Sequence, residues 1–264
     1  LRKSMKKLNR ILLLALASLL VLTSCSKEPL TIVLSKGSGG KSYENYSKWL
    51  EKYDGNINIV DMYSVENPEE AMTNADALVL TGGPDVHPGR FDKPYESDRC
   101  SIDEDRDSLE FQLLQYALLK KMPILGICRG QQLINVALSG SLIIDIPDDM
   151  PNAVTHQIDE GDAMHKVMLE DGSKIKELAG VDEAVVNSNH HQAVDKLSKE
   201  LKPTGYTVDG IIEAYEWRDV SFKSWMIAVQ WHPERLKSDH PLSAPLAESF
   251  IDAAYTYRKK LKNK

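Results

Sequence analysis

An α/β fold, with a doubly wound and mostly parallel sheet flanked by helices, is predicted by two observations. Short apolar runs alternate with amphipathic stretches through the first half of the chain, and most of the runs hold apolar residues at successive positions rather than at every second one. A strand buried on both faces reads that way, and helices packed on both sides of a parallel sheet are what bury it.

The elements follow in order. "LTIVL" at 30–34, "INIV" at 57–60, "ALVL" at 77–80 and "PILGI" at 123–127 read as buried parallel strands. Between them, "SYENYSKWLEKY" (42–53) and "RDSLEFQLLQYALLKK" (106–121) read as helices, and in the second Leu109, Leu113, Leu114 and Ala117 share one face. "QQLINVAL" (131–138) continues as a helix behind the fourth strand. The second half is richer in strands, with "HKVMLE" (165–170), "DEAVVNS" (182–188), "GIIEAYEW" (210–217) and "WMIAVQW" (225–231), and "PLAESFIDAAYTYRKKL" (245–261) reads as a closing helix. With no internal repeat or linker in sight, residues 26–264 are expected to be a single domain.

Charge and the N-terminus limit the partners. Of 264 residues, 32 are basic and 39 acidic, and the first 25 hold five of the basic ones (Arg2, Lys3, Lys6, Lys7 and Arg10) and no acid. The remainder carries 27 basic groups against 39 acidic, a net of −12 that repels phosphate backbones and argues against a nucleic-acid partner. Those 25 residues run from a basic stretch into Ile11–Leu22, an apolar run of 12 that is short of the roughly 20 needed to span a bilayer. They are expected to be a targeting segment. Its end, "LTSC" (Leu22–Cys25), resembles the bacterial lipobox, which implies lipidation of Cys25 and an exported lipoprotein, membrane-anchored and facing the periplasm or the cell surface. Two or three acyl chains anchor stably where one does not. A plain secretory peptide with an incidental cysteine is the alternative. A monomer and a homo-oligomer are both compatible with the sequence.

If Cys25 is lipidated, Cys100 and Cys128 remain, too few for a disulfide framework, and the two are not expected to approach one another. Cys128 stands in "GICRGQQ" (126–132), at the carboxyl end of the fourth strand, where ligands collect in such sheets. Gly-x-Cys-x-Gly is the thiol counterpart of the Gly-x-Ser-x-Gly elbow, in which a tight strand-to-helix turn lifts the nucleophile into the open. The N-terminus of the following helix would favour the thiolate. A small buried hydrophobe at a strand end fits the same pattern.

A thiol nucleophile needs a base and a group to orient that base. In "AVQWHPE" (228–234) His232 and Glu234 stand two apart, so on a strand they point the same way, with Pro233 marking the strand's end. His232 would then share the proton of Cys128 and Glu234 would fix the imidazole tautomer. An exposed His-Pro turn with an unrelated glutamate is the other reading. In "ALVLTGGPDVHP" (77–88), Gly82 and Gly83 leave backbone amides uncovered, which suits an oxyanion hole formed by the Gly83 amide and the amide of Arg129, although Gly-Gly-Pro also marks ordinary loops. Asp105 and Arg106 open the next helix and are expected to cap it and complement its dipole.

Taken together, "TGGPDVHP", "GICRGQQLINVALSGSL", "VNSNHHQAV" (186–194) and "VQWHPE" (229–234) resemble the class I glutamine amidotransferase superfamily, and within it the peptidase C26 branch that contains the gamma-glutamyl-gamma-aminobutyrate hydrolases. The likeness runs from about residue 30 to 258. It implies a flavodoxin-like sheet, a Cys128–His232–Glu234 triad and a gamma-glutamyl thioester resolved by water. It also implies that Gln132, and the loop containing Asn187, His190 and His191, lie at the substrate. No cofactor is implied. A metal at His190 and His191 is not expected, because neighbouring residues point apart and no acidic ligand stands at a metal spacing. His156 and His165 read as pocket-lining or solvated.

Three functions fit. The first is a free-standing hydrolase of gamma-glutamyl amides or peptides. The second is an amidotransferase subunit supplying ammonia, which the absence of a synthase domain in this sequence and the expected export disfavour. The third is a lipoprotein that binds a glutamyl ligand without turning it over, which intact catalytic residues disfavour.

Overall fold

The apolar runs of the first half become strands because each is long enough for a strand and too short for a helix, and each is bounded by polar or glycine-containing segments. In the computed structural model, which describes residues 28–221 and 223–263, these are β1 (Leu30–Leu34), β2 (Ile57–Asp61), β3 (Ala77–Leu80) and β4 (Ile124–Ile127). They are followed by β5 (Leu142–Ile143), β6 (Ala163–Leu169), β7 (Glu183–Ser188), β8 (Ala193–Val194), β9 (Leu201–Tyr206), β10 (Ile212–Trp217) and β11 (Met226–Val229). Nine of these described strands form one sheet in the order β2-β1-β3-β4-β11-β10-β9-β6-β7, and β5 pairs with β8 in a small second one. From β2 to β11 every pairing is parallel; from β11 onward every pairing is antiparallel. The parallel centre is the doubly wound sheet expected, with an antiparallel extension on one side.

The α-helices are α1 (Lys41–Tyr53), α2 (Pro68–Thr73), α3 (Glu104–Lys120), α4 (Arg129–Ala137), α5 (Ile146–Asp149), α6 (Lys174–Ala179) and α7 (Ala244–Lys262). They cover both faces of the central strands, and the pleat divides each strand between two cores. Ile32, Leu34, Val79, Leu125, Ile127, Ile227 and Val229 pack with Tyr46, Trp49 and Leu50 of α1 and with Leu246, Phe250 and Ile251 of α7. On the opposite face Val33, Leu78, Leu80, Ile124 and Ala228 pack with Leu113, Leu114 and Ala117 of α3 and with Leu133, Ile134 and Val136 of α4. The face predicted for α3 is therefore its core face, with Leu109 half-buried at the edge of the same cluster.

Beyond β11 one sheet face meets less cover. β6 alternates buried and exposed along its length, as a strand covered on one side does. Strand β9 was not anticipated: Pro203 and Gly205 disguise it, and the pairing of β9 with β10 is irregular between Ile212 and Tyr215. Among the described residues no helix is long and apolar enough to cross a membrane. Cys25 and the segment read as a targeting peptide lie outside the described residues.

Candidate active site

The sheet order makes β3, β4 and β11 neighbours, so the segments that follow them, "TGG", "CRG" and "HPE", emerge side by side at one rim. Cys128 is the single residue between β4 and α4, with φ 51° and ψ −108°. This is a conformation that an L-residue adopts only when its surroundings impose it. Two backbone bonds impose it here: Cys128 N donates to Val229 O at 2.8 Å, and Gln132 N donates to Cys128 O at 3.2 Å. Gly130 completes the turn, because a Cβ there would lie 2.1 Å from the Leu80 carbonyl oxygen. Only glycine lets α4 start this close to β3.

His232 Nδ1 donates to Glu234 Oε1 at 2.8 Å, and both side chains are buried. The pairing matches the expectation, but strand alternation does not produce it. β11 ends at Val229, and Pro233 opens a 3-10 turn over Pro233–Arg235 that folds Glu234 back beneath the imidazole. Burial opposes a charge on His232; the Glu234 carboxylate and Cys128 outweigh it and raise the imidazole to about 10. Tyr46 stands at the same ring, its Oη 3.5 Å from His232 Nδ1, and Arg235 Nε lies 3.5 Å from Glu234 Oε1.

At the end of β3, Gly82 N donates to Tyr46 Oη at 2.9 Å. The Gly83 amide, and that of Arg129 as the first residue of α4, have no acceptor among the described residues. Gly83 and Cys128 line the same cavity. What fixes the glycine loop was missed from the sequence. Arg106, expected to serve at the helix end, is fully buried, and the cap is Asp103, whose Oδ1 accepts from Arg106 N at 3.0 Å. The Arg106 guanidinium lies under the loop, donating to Gly82 O at 2.7 Å, Thr81 Oγ1 at 3.0 Å and Tyr43 Oη at 3.0 Å, and to Glu110 Oε1 at 2.7 Å. A Cβ on Gly83 would lie 2.0 Å from Arg106 Nη1, so a side chain at Gly83 would displace the guanidinium. The Arg129 side chain joins this buried network through Glu110 and Asp107. Burial, with the Arg106 charge adding to it, draws Arg129 down to about 10.

The cavity at the thiol holds about 270 Å³ and is lined by Tyr43, Gly83, Cys128, Asn189, His232 and Arg235, with Gln157 hydrogen-bonded to Asn189 at 3.2 Å. Larger grooves of about 600 and 730 Å³ lie along α3 and between α3 and α7, and neither is lined by a cysteine or histidine. Of the four side chains expected at the substrate, none lines the cavity. Asn187 clamps the base instead: its Nδ2 donates to His232 O and its Oδ1 accepts from His232 N, both at 2.9 Å. Gln132 Nε2 donates to Gln192 O at 3.0 Å and Gln230 Oε1 at 3.1 Å. His191 bridges Asp85 at 2.9 Å and Asp145 at 3.2 Å, and the Asp85 contact above all raises it to about 9. His190 turns inward to His156, His165 and Glu213, all buried, which corrects the reading of His156 and His165 as solvated; His156, with His190, does line a cavity, a separate one of about 280 Å³ beside Pro147 and Met150. The residue that does reach the cavity from that loop is Asn189.

Both described cysteines are free. Cys128 belongs to the core on the α1 side of the sheet and Cys100 packs against the core on the other. Burial, with Asp85 nearby, pushes the Cys100 thiol up to about 11.

The sequence profile of the Peptidase C26 family matches residues 33–234, a span that ends on Glu234. A glutamine amidotransferase-like protein of Rickettsia prowazekii is 32% identical over 241 residues, covering 76% of this chain and 84% of its own. The gamma-glutamyl-gamma-aminobutyrate hydrolase PuuD of Escherichia coli K12 is 31% identical over 194 residues, covering 70% and 74%. In shape, the glutaminase domain of a Trypanosoma brucei CTPS, solved with bound acivicin, superposes with a TM-score of 0.60 at 17% identity, over 86% of this chain and 94% of that domain. The latter likeness is one of fold. On the profile and the relatives together, the chain belongs to the peptidase C26 family of the class I glutamine amidotransferase-like superfamily, a class of cysteine-dependent hydrolases and amidotransferases.

Proposed function

We propose that this protein hydrolyses gamma-glutamyl amide or peptide bonds through a thioester on Cys128. The observation that carries the reading is the strained Cys128 elbow facing the buried His232–Glu234 pair across one small cavity. In this reaction His232 takes the proton of the Cys128 thiol, the sulfur attacks the gamma-carbonyl carbon, and the oxyanion that forms accepts hydrogen bonds from the amides of Gly83 and Arg129. The carbon–nitrogen bond then breaks, with His232 giving a proton to the departing amine. Water, deprotonated by His232, attacks the thioester, releasing glutamate and restoring the thiol. Glu234 holds the imidazole in the tautomer that both steps need.

Substrate recognition falls to the groups that line the cavity. Arg235, with the amides of Gln157 and Asn189, offers a cation and hydrogen-bonding groups for the glutamyl alpha-carboxylate and alpha-amino group. Support for the gamma-glutamyl class comes from the family and from the named hydrolase among the relatives. Export and lipid anchoring at Cys25 belong to the same proposal. Outside the cytoplasm the enzyme would meet peptidoglycan stem peptides and environmental gamma-glutamyl compounds.

The test incubates the full chain and its Cys128→Ser variant with gamma-glutamyl amides, gamma-glutamyl dipeptides, peptidoglycan fragments and L-glutamine, following free glutamate and released amine. Cleavage of gamma-glutamyl amides or peptides by the parent and not the variant supports the proposal. Cleavage of L-glutamine alone, releasing ammonia, would replace it with the amidotransferase reading, and binding without cleavage by either protein would replace it with the ligand-binding one.

A further inference from the structure

Behind the cavity wall, four side chains from distant parts of the sequence converge. His156 comes from the loop after α5, His165 from the covered face of β6, His190 from the loop after β7 and Glu213 from β10. Their exposures are 3, 8, 4 and 0%, and one potential ligand atom from each lies within 4.8 Å of all the others. Among the described residues no lysine or arginine pairs with Glu213.

We propose that His156, His165, His190 and Glu213 hold one divalent transition-metal ion of the zinc type, as a structural site. Hydrogen-bond direction is the first argument. His190 Nδ1 lies 2.9 Å from the Gln192 carbonyl, which can only accept, so the proton is on Nδ1 and the Nε2 lone pair turns to the cluster. His156 Nε2 lies 3.0 Å from Asp209 Oδ2, so its proton is there and its Nδ1 lone pair turns inward. These two inward nitrogens stand 3.4 Å apart. Neutral rings would thus present two lone pairs to each other and to a carboxylate, an arrangement that requires a cation between them.

Distances separate a metal from a proton. Glu213 Oε1 lies 3.6 Å from His156 Nδ1 and 3.4 Å from His190 Nε2, and Glu213 Oε2 lies 3.4 Å from His165 Nε2. A proton shared between nitrogen and oxygen draws them to about 2.7–3.2 Å. Two ligands of one tetrahedral ion, each bound at about 2.0–2.1 Å, stand about 3.3 Å apart. The three Glu213–histidine separations, and the 3.4 Å between the inward nitrogens of His156 and His190, match the second. Both Glu213 oxygens and both His165 nitrogens are buried without a hydrogen-bond partner, and orphaned polar atoms at such depth are strongly disfavoured.

Three imidazoles and a carboxylate suit zinc and its neighbours better than magnesium or calcium, which prefer all-oxygen shells. Four protein ligands leave no position for substrate, which makes the site structural. Asp209 and the Gln192 carbonyl are its outer partners. The role follows from the chain neighbours: Gln157 follows His156, Asn189 precedes His190, and both line the cavity at Cys128. An ion here would fix that wall. The inference is independent of which bond the thiol cleaves.

The full chain, stripped with a chelator and titrated with Zn²⁺ against a chromophoric competitor, is expected to take up one ion per chain in the presence of excess Mg²⁺. A chain with Cys25, Cys100 and Cys128 all replaced by serine is expected to retain that ion, while Glu213→Gln and His165→Gln each weaken it at least about 100-fold. Zn²⁺ is expected to raise the melting temperature of the parent and leave those two variants unmoved. Should either variant fail to fold, Co²⁺ loading of the all-serine chain decides, since four-coordinate cobalt gives intense visible bands. Absence of those bands, lack of stoichiometric uptake, undiminished binding in Glu213→Gln, or loss of binding in the all-serine chain would each overturn the proposal.

Discussion

His232 Nδ1 and Glu234 Oε1 stand 2.8 Å apart across a single proline, both buried, with His232 just before a 3-10 turn and Glu234 inside it. The contact fixes which imidazole nitrogen carries the proton, so the other is left for Cys128. Replacing Glu234 by glutamine keeps the shape and removes the charge. Glu234→Gln is expected to lower kcat by about 10²–10⁴-fold, measured on the preferred gamma-glutamyl substrate, with the far-ultraviolet circular dichroism unchanged. A loss smaller than tenfold would remove Glu234 from its role.

The same contact makes stability depend on pH. Against burial, Glu234 and Cys128 raise His232 to about 10 in the folded protein from about 6.5 when unfolded; Tyr46 also stands at the ring, and Arg235 stands at Glu234. A raised pKa contributes stability that is fully present below about 6.5 and is lost as pH rises through 10. The melting temperature of the parent should therefore exceed that of His232→Gln most below pH 6.5, with the margin shrinking steadily towards pH 10. A margin that widens with pH would contradict this assignment.

Asn187 separates positioning from binding. Its amide is occupied on both sides by the His232 backbone, so Asn187→Ala should misplace the base and not the substrate. The expected result is a fall in kcat of about 10–100-fold with KM within about twofold. A large rise in KM at constant kcat would return Asn187 to the substrate.

Arg106 makes the glycine loop rigid through one buried guanidinium. Arg106→Ala leaves Glu110 with one of its two cationic partners and the Gly82 carbonyl without that donor, and should cost about 3–5 kcal/mol in urea denaturation. Gly83→Ala, which would push on the guanidinium from the other side, is expected to abolish activity before it unfolds the protein. Equal activity in Gly83→Ala and parent would show that the loop is not held as described.

Anchoring is tested at Cys25. In a bacterial host supplied with labelled fatty acid, the full chain should incorporate label and partition with membranes, and Cys25→Ser should do neither. Label retained in the variant would exclude Cys25 as the lipidated residue.

What the sequence made legible was whatever depends on local order. The buried strands were readable because "ALVL" is apolar throughout and "LTIVL" at every position but Thr31, and the elbow was readable because Gly126 and Gly130 bracket Cys128. Glu234 was found for a partly mistaken reason: spacing suggested a strand pair, whereas Pro233 makes the turn that joins it to His232. The rest depends on contacts between residues far apart in the chain. Arg106 looks like any charge in a first helical turn until the β3 loop is laid over it, and Glu213 sits inside an apolar strand whose burial conceals three histidine partners from other segments. Strand β9 stayed hidden because Pro203 and Gly205 break its apolar pattern while its pairing survives.

The measurement closest to the central claim is intact mass after rapid acid quench, with a cleavable gamma-glutamyl amide as substrate, followed by peptide mapping. Attack by Cys128 predicts a transient adduct with the mass of one glutamyl acyl group on the peptide that carries Cys128, and none in Cys128→Ser. Substrate turnover with the adduct on another residue, or with Cys128→Ser as active as the parent, would contradict the account.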